Sequence, residues 1–309
     1  MAIIQKTNPM PSALPIIQSI PHGGLSVPPS VAARLAIDEV TIYNECDLWN
    51  DQIFDFSHPT LGGRQGTLAA VTMPTARVLI DANRAPDSLD NPDGAVKSQT
   101  SYGDPIYTAR LGRAEQEDLL DTAWRPFHQA LDGALRQHAG DVRLFLDCHN
   151  MAQHGPSAYG DPGQVRPLIC IGNFGGPDGE AVAAADPLTA GRRLTAPGAF
   201  VRQAGEIAGE IFADLDLLEP DSRRPAPVVA LNQPFEGGYI LRHYCDPAYQ
   251  QAIGGSYWGL MVEINRGLFV GDQHTRTPIQ PPNQARIQAV RARLYQWVQA
   301  LLPLLRNGQ

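Results

Sequence analysis

Short apolar runs alternate along this chain with longer amphipathic stretches. Six of the runs are apolar through most of their length, as is typical of strands covered on both faces of a sheet. They predict strands at residues 14–20, 76–81, 142–147, 168–172, 227–232 and 257–264. A period of 3.6 residues predicts helices at residues 106–138, broken near Pro126, at 198–215 and at 283–305. Such alternation of strands and helices predicts an α/β sandwich.

Two long segments rich in glycine and proline interrupt this pattern, at residues 154–167 and 172–191. Loops of this length inside a domain are often functional lids. We find no internal repeat and no low-complexity linker in the sequence. We therefore expect residues 1–309 to form a single domain.

Polar residues that can carry chemistry stand at the ends of four predicted strands. The segments are SIPHGG, LIDANR, LFLDCHN and MVEINR, and they contain His22, Asp81, His149 and Glu263. In open α/β sheets, ligands bind outside the carboxyl ends of the strands. We therefore expect these groups to meet in one crevice.

Composition narrows the class of partner. The formal net charge is -8, and Lys and Arg form no basic run, which argues against nucleic acid and against an anionic membrane surface. No segment approaches the ~18 apolar residues of a membrane helix, and the first residues lack the apolar core of a secretory signal. The four cysteines form no CxxC pair, which favours reduced thiols. A soluble cytoplasmic protein with a small-molecule ligand is expected.

Two histidines from different strand ends indicate a metal site. His22 and His149 together with one carboxylate would provide three zinc ligands and leave a fourth position open. The segment ECDLWND offers Asp47, with Glu45 and Asp51 as alternatives. Each histidine alone has the simpler interpretation of a capping or hydrogen-bonding residue at a strand end.

Asp147 precedes His149 by two residues, so both side chains are predicted on the same side of their strand. Asp147 could therefore orient the imidazole of His149, or simply cap the strand. Cys148 lies between them and is predicted on the opposite side, which argues against a Cys148–His149 nucleophile pair. A serine hydrolase is disfavoured as well, because the sequence has no GxSxG segment.

The motifs of this chain, taken in order, resemble those of the N-formylglutamate amidohydrolase family. The resemblance covers roughly residues 16–270, and its most specific segments are DANR, PFEGGYILRHY and EINR. It implies a relative of the zinc carboxypeptidases, with a three-layer αβα sandwich around a central mixed sheet. It also implies a zinc-dependent hydrolase, with one zinc ion per chain, that removes an N-acyl group from a small anionic amino acid.

The family motif assigns His22 and His149 as zinc ligands and Asp47 as the third. Where the family usually has Asp-x-Asp-Trp, this chain reads ECDLWND, so Glu45 stays an alternative to the favoured Asp47. The leading substrate that the resemblance implies is N-formyl-L-glutamate, an intermediate of histidine breakdown.

Chemistry suggests roles for the remaining polar residues. A base must accept a proton and deliver it to the leaving nitrogen, and the resemblance favours Glu263 for this role over its structural alternative, a salt bridge to Arg266. Guanidinium groups suit carboxylates, which favours Arg84 and Arg242 as substrate clamps, followed by Arg266. The ligand-binding set also includes Asn83, Gly237 and Gly238, where the glycines let backbone amides approach closely.

Two other functions stay open from the sequence. One is an amidase for a different small amide that bears a carboxylate. The other is a metal-binding or regulatory protein on the same fold without catalysis. The presence of His22, Asp47, His149 and Glu263 together favours the enzyme.

Overall fold

A mixed sheet of seven strands forms the centre of the computed structural model, which describes residues 3–7, 13–61, 66–182 and 193–307. The strands are β1 (Ile4–Thr7), β2 (Leu14–Ile20), β3 (Thr67–Thr72), β4 (Leu144–Met151), β5 (Ile169–Gly172), β6 (Val229–Leu231) and β7 (Trp258–Asn265). Their order in the sheet is β1-β3-β2-β4-β7-β5-β6. Strands β3, β2, β4 and β7 are mutually parallel, whereas β1 and the β5–β6 pair run in the opposite direction.

Helices cover both faces of this sheet. They are α1 (Pro29–Ala32), α2 (Glu39–Glu45), α3 (Asn50–Ile53), α4 (Arg113–Leu119), α5 (Arg125–Gln137), α6 (Gly198–Phe212), α7 (Tyr239–Tyr244), α8 (Pro247–Ile253) and α9 (Gln284–Asn307). Helices α5 and α7 pack on one face, and α6 and α9 pack on the other. The predicted three-layer αβα sandwich with a mixed sheet is confirmed. None of the described helices is both long and apolar enough to cross a membrane.

Alternate residues of strand β4 pack against the helices on opposite faces of the sheet. Phe145 packs into the core beneath α5, whereas Leu146 and Cys148 pack into the core beneath α6 and α9. Asp147 and His149 follow Phe145 at a period of two, so they lie on the α5 side of the sheet. Burial raises the pKa of the Cys148 thiol well above its usual range, which leaves that side chain an apolar core residue.

Five of the six predicted strands are present, but the strand predicted at residues 76–81 is wrong. Val78, Leu79 and Ile80 are fully buried, yet their backbone forms a turn in which the Leu79 amide donates to the Ala76 carbonyl. Only isolated bridges flank this turn, at Ala76 and Ile80. An apolar run indicates only that its residues are buried, and residues in a turn can be buried as fully as residues in a strand. The sequence analysis missed β1 and β3.

The helix predicted at residues 106–138 begins seven residues later than expected, at Arg113. Between α4 and α5 the chain continues as a π-helical turn, Leu120–Trp124, in which the Arg125 amide reaches back to the Leu120 carbonyl. Pro126, which has no N–H to donate, follows directly after this wider turn. The predicted break near Pro126 is therefore a local widening of one continuous helix. Of the loop predicted at 172–191, residues 183–191 lie outside the described part of the chain.

Gly24 lies where the turn after β2 passes the backbone after β3. A Cβ atom there would lie 2.2 Å from the carbonyl carbon of Pro74. We expect Gly24→Ala to lower the free energy of unfolding by about 1–3 kcal/mol, the usual cost of overpacking. Gly133→Ala is the control, because Gly133 is exposed in α5 with open space around it. That change should stabilise the protein by about 0.5–1 kcal/mol. Urea unfolding measures both; equal stability of the Gly24 variant and the parent would contradict the prediction.

Candidate metal centre

Three side chains meet at the carboxyl ends of β2 and β4. His22 follows β2, His149 lies in β4, and Asp47 follows α2; all three are buried. The two Nδ1 atoms lie 3.1 Å apart. Oδ2 of Asp47 lies 3.6 Å from Nδ1 of His22 and 3.4 Å from Nδ1 of His149. These are the three residues that the sequence predicts as zinc ligands.

The spacing of the three donor atoms fits a zinc ion. Tetrahedral zinc with ligands at ~2.0–2.1 Å requires ligand atoms about 3.3 Å from one another. The observed separations of 3.1, 3.4 and 3.6 Å bracket that value. Among the described residues, this is the cluster of His, Cys, Asp and Glu side chains that could hold a metal ion.

The orientation of both imidazoles also favours a cation. Nε2 of His22 lies 2.8 Å from Oδ1 of Asp81, and Nε2 of His149 lies 3.0 Å from Oδ2 of Asp147. A carboxylate only accepts, so Nε2 of each neutral ring carries the proton and Nδ1 presents a lone pair. Two lone pairs and the oxygen of Asp47 therefore converge on one point, an arrangement that a metal ion stabilises.

The carboxylates of the cluster favour positive charge, either as a proton on a ring or as a metal ion. Burial opposes the charged form of His149, but the carboxylates of Asp147 and Asp47 outweigh it and raise the pKa of His149. For Asp47 the same competition lowers the pKa, because its contacts with the His149 and His22 rings outweigh burial. The pocket therefore attracts positive charge at neutral pH.

Backbone contacts hold Asp47 against the histidines. Its amide donates to the carbonyl oxygen of His22 over 3.0 Å, and the amide of Asn150 donates to its Oδ2 over 3.1 Å. The two alternative carboxylates lie elsewhere: Glu45 accepts hydrogen bonds from the amide and hydroxyl of Ser101, and Asp51 is exposed on α3.

Glu263 lies beside the metal cluster. The parallel register of β4 and β7 pairs it with His149, on the same face of the sheet. Burial raises the pKa of Glu263 to about 7, which suits a group that exchanges protons at neutral pH. Arg266, the alternative partner, donates to the carbonyl oxygens of Asn44 and Cys46 over 3.1 and 2.7 Å.

Asn83 joins three parts of the site. Its Nδ2 lies 3.1 Å from Oδ2 of Asp147 and 3.2 Å from Nε2 of His149, and its Oδ1 accepts from the amide of Ile240. A Cβ atom at Gly238 would lie 2.4 Å from the Asn83 amide group, and one at Gly237 would lie 2.6 Å from the Phe174 ring. Both glycines are therefore required for close packing at the cavity wall.

A cavity of about 640 Å³, its open mouth included, lies over the metal cluster and Glu263. Four arginines line it: Arg77, Arg84, Arg166 and Arg266. Arg84 pairs with Asp93, with 2.8 Å between Nη2 and Oδ2. Arg242 lies outside this lining, because α7 turns it to the exposed side of the helix while Leu241 faces the core. The structure brings together every predicted site residue except Arg242.

Sequence reasoning missed Arg77, Tyr159 and Arg166 as members of the site. It expected Asp81 in the crevice but assigned it no role. Arg77 is the second residue of the run ARVLIDANR, seven residues before Arg84. Tyr159 and Arg166 lie in the glycine- and proline-rich loop, whose length was the available signal.

Comparison with known proteins identifies the family. The family model for N-formylglutamate amidohydrolase matches residues 14–270 of this chain. The chain belongs to the N-formylglutamate amidohydrolase family. This family assignment makes the protein an amidohydrolase, and the matched range contains the metal cluster and Glu263.

Individual relatives agree with the family. The N-formylglutamate deformylase of Pseudomonas putida is 27% identical over 249 residues, 76% of each protein. The N-formylglutamate deformylase of Pseudomonas aeruginosa is 26% identical over 244 residues, again 76% of each. The crystal structure of N-formylglutamate amidohydrolase from Ralstonia eutropha JMP134 shares the fold, with a TM-score of 0.62 and 19% identity over 100% of this chain and 99% of that one.

Proposed function

We propose that this member of the N-formylglutamate amidohydrolase family is a zinc enzyme that hydrolyses N-formyl-L-glutamate to formate and L-glutamate. The observation that carries the zinc assignment is the convergence of two Nδ1 lone pairs and the Asp47 oxygen on one point. The names of the two Pseudomonas relatives support the substrate. The arginine-lined cavity supports an anionic one.

The ligands and the base divide the chemistry between them. His22, Asp47 and His149 would hold the zinc ion, which supplies a Lewis acid that polarises the amide carbonyl and activates water. Glu263 accepts the proton of the attacking water as its oxygen bonds to the formyl carbon. The C–N bond then breaks, and Glu263 delivers that proton to the leaving nitrogen. Its pKa of about 7 allows both transfers near neutral pH.

Asp81, Asp147 and Asn83 contribute by fixing the two imidazoles. Each aspartate keeps the proton of one ring on Nε2, so that Nδ1 remains available to the metal ion. Asn83 donates to Asp147 and thereby fixes the carboxylate that orients His149. Arg84 and Arg266 are the groups that we assign to the substrate carboxylates, because both line the cavity.

A combined metal and substrate assay tests this function. The purified protein should contain about one zinc ion per chain and release formate from N-formyl-L-glutamate. Activity should disappear on treatment with a chelator and return with added zinc. The rates of hydrolysis of N-acetyl- and N-carbamoyl-L-glutamate show how strongly activity depends on the acyl group. Zinc binding without hydrolysis of any of these amides would contradict the proposal.

Arg266 is expected to select substrates by charge. It is buried at the cavity wall and donates to two uncharged carbonyl oxygens, so its positive charge is available to attract a substrate carboxylate. We expect Arg266→Gln to weaken productive binding of N-formyl-L-glutamate by about 2–5 kcal/mol, the cost of truncating one partner of a buried charge pair. The ratio of kcat/KM for N-formyl-L-glutamate to that for N-formyl-L-glutamine measures the effect.

N-formyl-L-glutamine lacks the side-chain carboxylate but keeps the α-carboxylate, so it separates recognition of the side-chain carboxylate from damage to the fold. If Arg266 binds the side-chain carboxylate, its replacement lowers the kcat/KM ratio; if it is structural or binds the α-carboxylate, both substrates suffer equally. Arg242→Gln is the matched control, because Arg242 is exposed and outside the cavity lining. If Arg242→Gln changed the kcat/KM ratio more than Arg266→Gln does, Arg242 would be the residue that binds the substrate carboxylate.

A further inference from the structure

Tyr159 lies on a surface loop, yet its hydroxyl group reaches the metal centre through Arg77. Its neighbours at positions 157, 158 and 160 are exposed, whereas Tyr159 is half-buried and lines the cavity. Nη2 of Arg77 donates a hydrogen bond of 3.0 Å to the Tyr159 hydroxyl. Tyr159, which is not one of the three proposed ligands, therefore contacts Arg77, the residue beside the ligand Asp47.

Arg77 lies between two buried carboxylates. Its Nη1 is 3.7 Å from Oδ1 of Asp47, and its Nε is 3.6 Å from Oδ2 of Asp81. Both contacts are within the range of ion pairs but are too long to be hydrogen bonds. Both of these carboxylate oxygens, and Nε itself, have no hydrogen-bond partner among the described residues. Charge attraction holds Arg77 near the carboxylates, and the bond to Tyr159 fixes its orientation.

The two carboxylates that Arg77 faces are the two that contact His22. Oδ2 of Asp47 points at Nδ1 of His22 and Oδ1 points at Arg77. Likewise, Oδ1 of Asp81 contacts Nε2 of His22 and Oδ2 points at Arg77. Arg77 therefore faces the outer oxygen of each carboxylate and favours the rotamers that turn the inner oxygens towards the histidine.

Contacts within and around the loop hold Tyr159 in place. Arg166 forms two hydrogen bonds to the carboxylate of Asp161, of 2.7 and 2.9 Å, which close the loop on itself. The ring of Tyr159 packs edge-on against that of Phe235, with 6.0 Å between the ring centres. The guanidinium carbon of Arg166 lies 5.5 Å from the centre of the Tyr159 ring. These contacts hold the ring, so removal of the hydroxyl leaves the loop supported.

We propose that Tyr159 is a positioning residue that tightens metal binding by fixing Arg77 against Asp47 and Asp81. The inference rests on the proposed zinc site. It extends that site to a residue of the loop at 154–167, so that the loop acts on the metal centre as well as on the cavity wall.

Tyr159→Phe tests the proposal, because it removes the hydroxyl and keeps the ring. Zinc affinity of the metal-depleted protein is measured by competition with a chelating indicator. We expect affinity to fall about 10-fold, the lower end of the range for groups that support metal ligands from outside. Tyr249→Phe is the control: it removes a hydroxyl that donates to Asp132, outside the cavity lining, and should leave zinc affinity unchanged.

A double-mutant cycle decides whether the effect passes through Arg77. In the Arg77→Gln background, adding Tyr159→Phe should cause no further loss of zinc affinity. Unchanged affinity in Tyr159→Phe, or losses that add in the double variant, would overturn the role of Tyr159. If the parent binds zinc no more tightly than His22→Ala does, the zinc site itself fails; tight binding by the parent with no effect of Tyr159→Phe overturns this inference alone.

Discussion

Replacing His149 by alanine is expected to remove stable zinc binding from the protein. His149 supplies one of three converging donor atoms, and its Nδ1 lies within 3.4 Å of both other donors. Loss of a group that only supports a ligand costs about 10–100-fold in metal affinity, so loss of a ligand should cost at least about 100-fold. His22→Ala should have an equal effect. Metal analysis after dialysis and competition with a chelating indicator measure both variants.

His154→Ala provides the matched control for the two histidine variants. His154 pairs with Asp272 at 3.0 Å and does not line the cavity, so its loss should leave zinc affinity and turnover close to those of the parent. Circular dichroism should show retained secondary structure in all three proteins. Full zinc occupancy in His22→Ala or His149→Ala would remove the metal-site assignment.

The meeting of His22 and His149 could be predicted because its signals are local in the sequence, whereas the family motif was needed to favour Asp47 over Glu45. Parallel strands end at one edge of the sheet, so His22 and His149 had to lie near each other once β2 and β4 were identified. The period of two then placed Asp147 on the side of His149, where the structure has it in hydrogen-bonding contact. The same argument identified Glu263, which the register of β4 and β7 pairs with His149.

Other features depend on packing that local patterns do not encode. The run at 76–81 is as apolar as a strand, but its backbone turns at Val78 and Leu79 beneath the neighbouring layers. That turn brings Arg77 to within 3.7 Å of Asp47 and 3.6 Å of Asp81. Strand β3, with alanines at two of its six positions, carries a weak apolar signal and was missed.

Arg242 and Tyr159 show the same limit from opposite directions. The sequence favoured Arg242 because of its motif, but the phase of α7 turns it outward. Tyr159 received no role, since nothing near it in the sequence indicates that its hydroxyl meets Arg77, 82 positions away. Both outcomes follow from side-chain directions that only the folded chain determines.

Glu263 is expected to act as the base, and Glu263→Gln separates that role from metal binding. Glutamine keeps the size and hydrogen-bonding reach of the side chain but accepts no proton at neutral pH. Because the three donor atoms do not include Glu263, zinc should stay bound. General-base catalysis contributes typically 10²–10⁴-fold, so kcat should fall by about that factor while KM changes little.

Metal content, KM and kcat must be measured together on the same preparations of Glu263→Gln and the parent. Glu45→Gln is the comparison, because Glu45 is also a buried carboxylate at the cavity wall but is bonded to Ser101. If loss of negative charge alone lowered turnover, both variants would suffer alike; if Glu263 transfers protons, only its variant loses the large factor. Near-normal turnover of Glu263→Gln would make Glu263 a structural residue, and loss of zinc would make it a ligand. A large fall in kcat with zinc retained is the outcome that the position of Glu263 beside His149 predicts.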